Sequence, residues 1–128
     1  MLNKQYLKEF PKQGEIWLLN FNSSIGKEII KIRPALIISN NLQNEFDSQI
    51  MVAIITSEEI IMKSSVGVLI KKSELSFLDR DSKILPNRIQ TIFKTSERFI
   101  KKLGFLEKKD WLRFKKFHLA IINGIYED

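Results

Sequence analysis

Arg33-Pro34-Ala35-Leu36-Ile37-Ile38-Ser39 reads as a β-strand that is apolar on both faces, entered through a charge and left through a hydroxyl. Successive side chains of a strand point to opposite sides, so Ala35 and Ile37 share one face and Leu36 and Ile38 the other. Such a strand requires cover on both sides. Pro34 holds Arg33 in extended backbone, which limits where its guanidinium can point. The result is a permanently charged, planar donor set where a polar loop enters a buried strand. Upstream, Glu15 to Phe21 places Trp17, Leu19 and Phe21 on one side and Ile16 and Leu18 on the other, a second two-sided strand. Downstream, Asn40 to Ser48 contains three Asn and reads as a loop. Ile50 to Ser57 is the next strand, and Val66 to Ile70 the one after. Ile84–Leu85 and Ile89–Phe93 supply one or two more, separated by Pro86, which interrupts a ladder.

The period changes toward the C-terminus. Trp111, Phe114, Ile121 and Ile125, flanked by Phe117 and Ile122, make one stripe at helical spacing, with Arg113, Lys116 and Asn123 off it. Leu112 and Leu119 also lie off the stripe, with Tyr126 nearby, as a contact patch on the outer face. A shorter helical turn is expected from Ser96, which would cap Glu97 to Lys101. Five or six short, sequential strands followed by one amphipathic helix pack most simply as a curled antiparallel barrel with the helix against it. The expected class is therefore mainly β with α (α+β).

Composition sets the outer limits. The chain has 128 residues and a mass of 15.0 kDa, one domain's worth, and no repeat, linker or low-complexity tract divides residues 1–128. Residues 1–12 read as a loose N-terminal arm. Apolar residues make up 44% and charged residues 28%, too hydrophobic a balance for a disordered chain. The absence of cysteine removes disulfides, thiolate metal sites and Cys nucleophiles, and a single histidine leaves a zinc site without a ligand set. No apolar run approaches the roughly 20 residues that span a bilayer. The N-terminus lacks the apolar core of a signal peptide, so a cytoplasmic location is expected. A formal charge of +6 and a pI near 9.6 favour polyanionic partners.

Common cofactor and catalytic motifs are absent: there is no GxGxxG, no phosphate loop, no HExxH and no GxSxG. His118 lies within the apolar stripe of the last helix, where a hydrogen-bonded packing role is the plainer reading than acid/base work. Arg33 reads either as an ion-pair partner of Glu28 at a barrel rim or as a site residue. Thr56 and Ser57 emerge on opposite sides where an apolar strand meets its loop, as ordinary turn hydroxyls or as donors to a ligand.

Taken in order, Gly14-Glu15-Ile16-Trp17, Gly26-Lys27-Glu28-Ile29, Lys31, Arg33 to Asn40, Ile55-Thr56-Ser57, Leu78, Asp81-Ser82, Leu85 and Ile89 to Ile92 resemble the MazF/PemK family of toxin endoribonucleases. The resemblance extends from about Gly14 to Ile125. It implies an SH3-like barrel of five to seven strands with a C-terminal helix, forming a homodimer. The implied activity is metal-independent, cofactor-free cleavage of single-stranded RNA at short specific sequences, which inhibits translation and growth. In that reaction the neighbouring 2′-hydroxyl attacks the phosphate, giving a 2′,3′-cyclic phosphate and a 5′-hydroxyl. Arg33 and Thr56 match the family's catalytic arginine and threonine, Glu28 an acidic loop residue that supports activity, and Ser57 the adjacent hydroxyl. Lys27, Lys31, Arg88 and Gln90 are the expected RNA contacts. The implied partner is a cognate antitoxin, acidic in the segment that covers the RNA groove.

Two departures stand out. Ile29, Ile30 and Lys31 occupy positions where many members carry Gln-Gly-Gly, and Arg88-Ile89-Gln90-Thr91-Ile92 exchanges the polar pair of the family's Gln-Ile-Arg-Thr-Ile. The alternative reading is a noncatalytic toxin or nucleic-acid-binding SH3-like module, such as the gyrase poisons that act through a C-terminal Trp-Gly-Ile. This chain ends instead in Gly124-Ile125-Tyr126-Glu127-Asp128.

Overall fold

Glu15 begins the first strand, β1 (Glu15–Asn20), and its carboxylate ties three segments together. Oε1 accepts the Lys12 backbone N–H and the Trp17 indole N–H, each at 2.9 Å, and Oε2 lies 3.4 Å from Lys102 Nζ. The computed structural model describes residues 9–21 and 31–123. After β1 come β2 (Ile32–Ile37), α1 (Asn41–Phe46), β3 (Gln49–Thr56), α2 (Glu59–Met62), β4 (Val68–Ile70), β5 (Ser82–Phe93), β6 (Phe99–Phe105) and α3 (Lys108–Asn123). The six strands form one antiparallel sheet in the order β4-β5-β3-β2-β1-β6. It curls into a half-barrel with α3 at its C-terminal end, which is the expected mainly β architecture within the expected strand number.

The two-sided strands do what their sequence demands. Ala35 and Ile37 of β2 join Leu19, Ile50, Val52, Ile92 and Phe99 in one buried cluster. Leu36 joins Ile16, Ala53, Ile55, Ile84 and Phe114 in the other. Trp17 packs its ring edge-on against Phe99, centroids 5.7 Å apart, on the first side. On the second side α3 delivers Trp111, Phe114 and Phe117, the first half of its predicted stripe. Leu112 and Leu119 are about half exposed on its outer face, whereas Ile125 and Tyr126 lie outside the described residues. At the N-terminal arm, Pro11 is buried and Lys12 is bound to Glu15, so its last residues are held; residues 1–8 lie outside the described set.

Three expectations are corrected. Asn40 to Ser48 is not all loop: Asn40 Oδ1 accepts the Gln43 N–H at 2.8 Å and caps α1, and buried Asn44 donates through Nδ2 to the Ser39 carbonyl at 2.9 Å. Ser96 starts no helix. Thr95 to Arg98 is a turn, and Phe99–Phe105 is the edge strand β6, paired to β1 with two register shifts. Nor does Pro86 split β5. Between Ala53↔Ile89 and Ile55↔Ile84, one residue of β3 lies against four of β5, and this bulge absorbs the missing proline N–H. His118 completes it: Nδ1 donates to the Pro86 carbonyl at 3.0 Å while the ring stacks on Phe114. The histidine is thus a packing residue whose imidazole satisfies a carbonyl at the bulge.

Burial pushes the Glu15 carboxyl up, but the Lys12 N–H, the Trp17 indole and the Lys102 ammonium outweigh it and hold its pKa below the ordinary 4.5. A carboxylate whose folded pKa is depressed stabilises the fold above its unfolded value and loses that contribution as pH falls through the folded one. Acidification below about pH 4.5 should therefore lower the melting temperature of the wild type more steeply than that of Glu15→Gln. Parallel slopes for the two proteins in a pH series of thermal melts would show that Glu15 carries no such contribution.

Candidate active site

β2 and β3 pair with Ala35 opposite Ile54, Leu36 opposite Ala53 and Ile37 opposite Val52. Continued two residues toward the strand ends, that register sets Arg33 across from Thr56. Both residues line one groove of about 780 Å³, together with Ser57. Two strand ends that are 23 positions apart in sequence are thus joined by the fold at one place, because α1 and its turn carry the chain back antiparallel.

Thr56 is buried, and its Oγ1 accepts the Glu58 backbone N–H at 3.1 Å, a local turn that ends the strand. That bond uses a lone pair and leaves the hydroxyl proton to be donated to a ligand. Arg33 is partly exposed beside Leu18 and Pro34 at the groove wall. The remaining polar lining is Glu58, Glu59, Asp79, Arg80 and Ser82, with Phe77, Leu78 and Leu103 as its apolar floor. Glu59 is exposed and pairs with Lys63 at 3.2 Å. Among the described residues no group of three or more His, Asp or Glu side chains is gathered so as to hold a metal ion. No described helix is long and apolar enough to cross a membrane.

The groove therefore unites three of the expected catalytic residues, Arg33, Thr56 and Ser57. Glu28 and Lys27 lie outside the described residues. Lys31, Arg88 and Gln90 are exposed and stand outside the groove lining; Gln90 sits opposite Val52 in the ladder. The sequence reading passed over Glu58, Glu59, Asp79 and Arg80. The first two directly follow the hydroxyl pair, which was the available signal; the second two come from a segment remote in sequence, and only folding brings them here. Asp81, their neighbour, instead accepts the Lys72 N–H at 2.8 Å and closes the loop that precedes β5.

A family model described as PemK-like, MazF-like toxin of type II toxin–antitoxin system matches residues 12–116. The chain belongs to that family. It is 35% identical over 98 residues to the endoribonuclease MazF of Staphylococcus saprophyticus, an alignment covering 77% of this chain and 79% of the relative. It is 34% identical to the endoribonuclease EndoA of Bacillus subtilis over 83 residues, 65% of this chain and 71% of that protein. Solved structures of the MazF fold superpose on it at low identity. A MazE–MazF structure from Deinococcus radiodurans gives a TM-score of 0.71 at 16% identity, covering 92% of this chain and 99% of the other. A mycobacterial endoribonuclease in complex with its cognate antitoxin gives 0.63 at 17%, covering 92% and 99%.

In this member the groove floor depends on a glycine. Gly104 of β6 packs against Phe77, and a Cβ there would stand 2.7 Å from Phe77 Cε2 and 3.0 Å from Cδ2. Gly104→Ala should displace the Phe77 ring and destabilise the protein by about 1–3 kcal/mol, read as a lower urea midpoint. Combining it with Phe77→Leu should cost less than the two single changes added together. Strict additivity in that cycle would mean that the contact is not the source of the loss.

Proposed function

We propose that this chain is a sequence-specific endoribonuclease toxin that cleaves single-stranded mRNA without a metal, through attack of the RNA's own 2′-hydroxyl. The products are a 2′,3′-cyclic phosphate and a 5′-hydroxyl, and the consequence is arrest of translation and growth. The observation that carries this reading is the convergence of Arg33, Thr56 and Ser57 in one groove of a chain that belongs to the toxin family. Attack on the phosphate builds negative charge on its nonbridging oxygens. A planar guanidinium and a hydroxyl whose lone pair is already engaged by Glu58 N–H are donors suited to hold that charge in fixed geometry. Ser57 adds a second hydroxyl beside them.

Proton removal from the 2′-hydroxyl is assigned to Glu28, as the resemblance implies, because a guanidinium with a pKa above about 12 is a poor base. Glu58 offers a second acceptor, favoured by its place in the groove lining and its backbone bond to Thr56. Lys31, Arg88 and Gln90 would guide the strand outside the groove, with Lys27 as a further expected RNA contact, and the net charge of +6 suits both a polyanionic substrate and an acidic antitoxin. We assign the antitoxin the role of covering this groove, and the toxin a homodimeric state in the cytoplasm.

Purified protein incubated with long single-stranded RNA in EDTA should produce discrete cuts with 5′-hydroxyl ends. Arg33→Ala should slow cutting by about 10²–10³-fold, as loss of a transition-state donor does, and Thr56→Ala should also slow it. Glu28→Gln and Glu58→Gln assayed side by side identify the proton acceptor as whichever loses activity. Folded wild type that cuts none of a varied RNA set would overturn the ribonuclease reading in favour of a noncatalytic binder on the same fold.

A further inference from the structure

Lys83 is a buried charge that the chemistry above does not use. It is only 8% exposed and sits on β5, one strand in from the sheet edge, opposite Thr56 of β3 on one side and Leu69 of β4 on the other. The chain between those two partners runs out through Ser57 and α2 and returns through Gly67, so the loop begins and ends beside this lysine. Its ammonium holds the loop from within. Nζ donates to the Ser64 carbonyl at 2.6 Å and to the Ile61 carbonyl at 3.1 Å, and Ser64 Oγ closes on the same Ile61 carbonyl at 2.7 Å. The stem is gripped as well: Gly67 has φ +98°, and a Cβ there would stand 3.1 Å from Lys83 Cβ and 3.1 Å from the Ile84 carbonyl.

The same loop forms a wall of the groove. Ser57, Glu58 and Glu59 line it, and the Glu58 N–H is the donor to Thr56 Oγ1. We propose that Lys83 is a positioning residue for RNA binding: it pins residues 57–67 to the sheet and so fixes the groove wall next to Thr56. This inference rests on the ribonuclease reading. A buried ammonium is tolerable only while carbonyls replace its water, so satisfying the charge and closing the loop are one event. An apolar side chain of similar length fills the space but takes the ammonium away from both carbonyls; the Ile61 carbonyl keeps Ser64 Oγ, while the Ser64 carbonyl loses the lysine that holds it to the sheet. The loop then loosens, whereas β2 and β3, which set Arg33 across from Thr56, remain paired through their own ladder. The carbonyls that Lys83 holds belong to residues 61 and 64, whereas Ser57 follows directly on β3 and Glu58 keeps its own bond to Thr56 Oγ1, so the loss falls on holding the substrate, ahead of the chemical step.

Cleavage kinetics on a short oligonucleotide carrying one cut site test this with Lys83→Met, alongside amide hydrogen exchange. We expect KM to rise about tenfold with kcat changed less than about threefold, the pattern of lost uniform binding. Exchange should speed up in residues 58–66 while β3 and β5 stay protected. Gly67→Ala, which pushes the loop off the Lys83 stem without altering the lysine, should give the same split and carries the test if Lys83→Met does not fold. Wild-type cutting with KM unchanged in the variants overturns the positioning role alone, as does a loss confined to kcat. Wild type that does not cut overturns the ribonuclease reading and this inference with it.

Discussion

The register between β2 and β3 is the constraint from which the rest of the molecule follows. Ala35 and Ile37 enter one buried cluster and Leu36 the other, so a slip of one residue would exchange the two cores and bury side chains of the wrong size on each side. Because both faces are packed, the register has no near-degenerate alternative. The same pairing shapes the candidate site, since its register, continued to the strand ends, sets an arginine before a proline across from a threonine. Here a packing requirement sets the geometry of a site.

Charge is distributed in a way that separates attraction from chemistry. The chain carries a surplus of +6, yet the groove itself is lined by two arginines and three carboxylates. Long-range attraction for a polyanion therefore arises from the lysines elsewhere, among them Lys101, Lys102, Lys108, Lys109, Lys115 and Lys116, all exposed on β6 and α3. In the proposed site, carboxylates inside the groove would oppose indiscriminate phosphate binding and leave the arginines to act at particular oxygens. A strongly basic groove would hold any stretch of RNA equally; a mixed one makes position matter.

Much of the fold was legible before the structure, and the exceptions have identifiable causes. β1 to β4 and α3 are readable because each buries an apolar pattern of the right period, whereas Arg33 and Thr56 stand out only as polar groups at the ends of such strands, and their expected roles came from the resemblance to the family. β6 was missed because it lies at the sheet edge: only Phe99 is deeply buried, Lys101 and Lys102 break the alternation, and its pairing to β1 shifts register twice. α1 was missed because six residues carry too little periodicity, and its real signal was the cap, Asn40 to Gln43. Pro86 was weighed as a breaker, but the physical content of that rule is a missing N–H, and a bulge supplies a place where none is needed. The acidic half of the groove and the role of Lys83 depend on contacts across 19 or more positions, which no local pattern encodes.

The fate of the single histidine bears on how the groove can work. His118 is the only imidazole in the chain, and its Nδ1 is engaged by the Pro86 carbonyl while its ring is stacked on Phe114. The imidazole is thus tied to the bulge of β5, and it is absent from the groove lining. In the proposed reaction the proton acceptor is therefore a carboxylate, which is a weak base. Such a base contributes modestly, so the proposed mechanism draws most of its acceleration from donors that hold the phosphate charge and from a substrate that brings its own nucleophile in place. The proposal thus asks of the groove only hydroxyls, arginines and carboxylates in fixed places, set by the β2–β3 ladder on one side and by the Lys83 contacts on the other. Precision of position substitutes for a tuned acid/base pair.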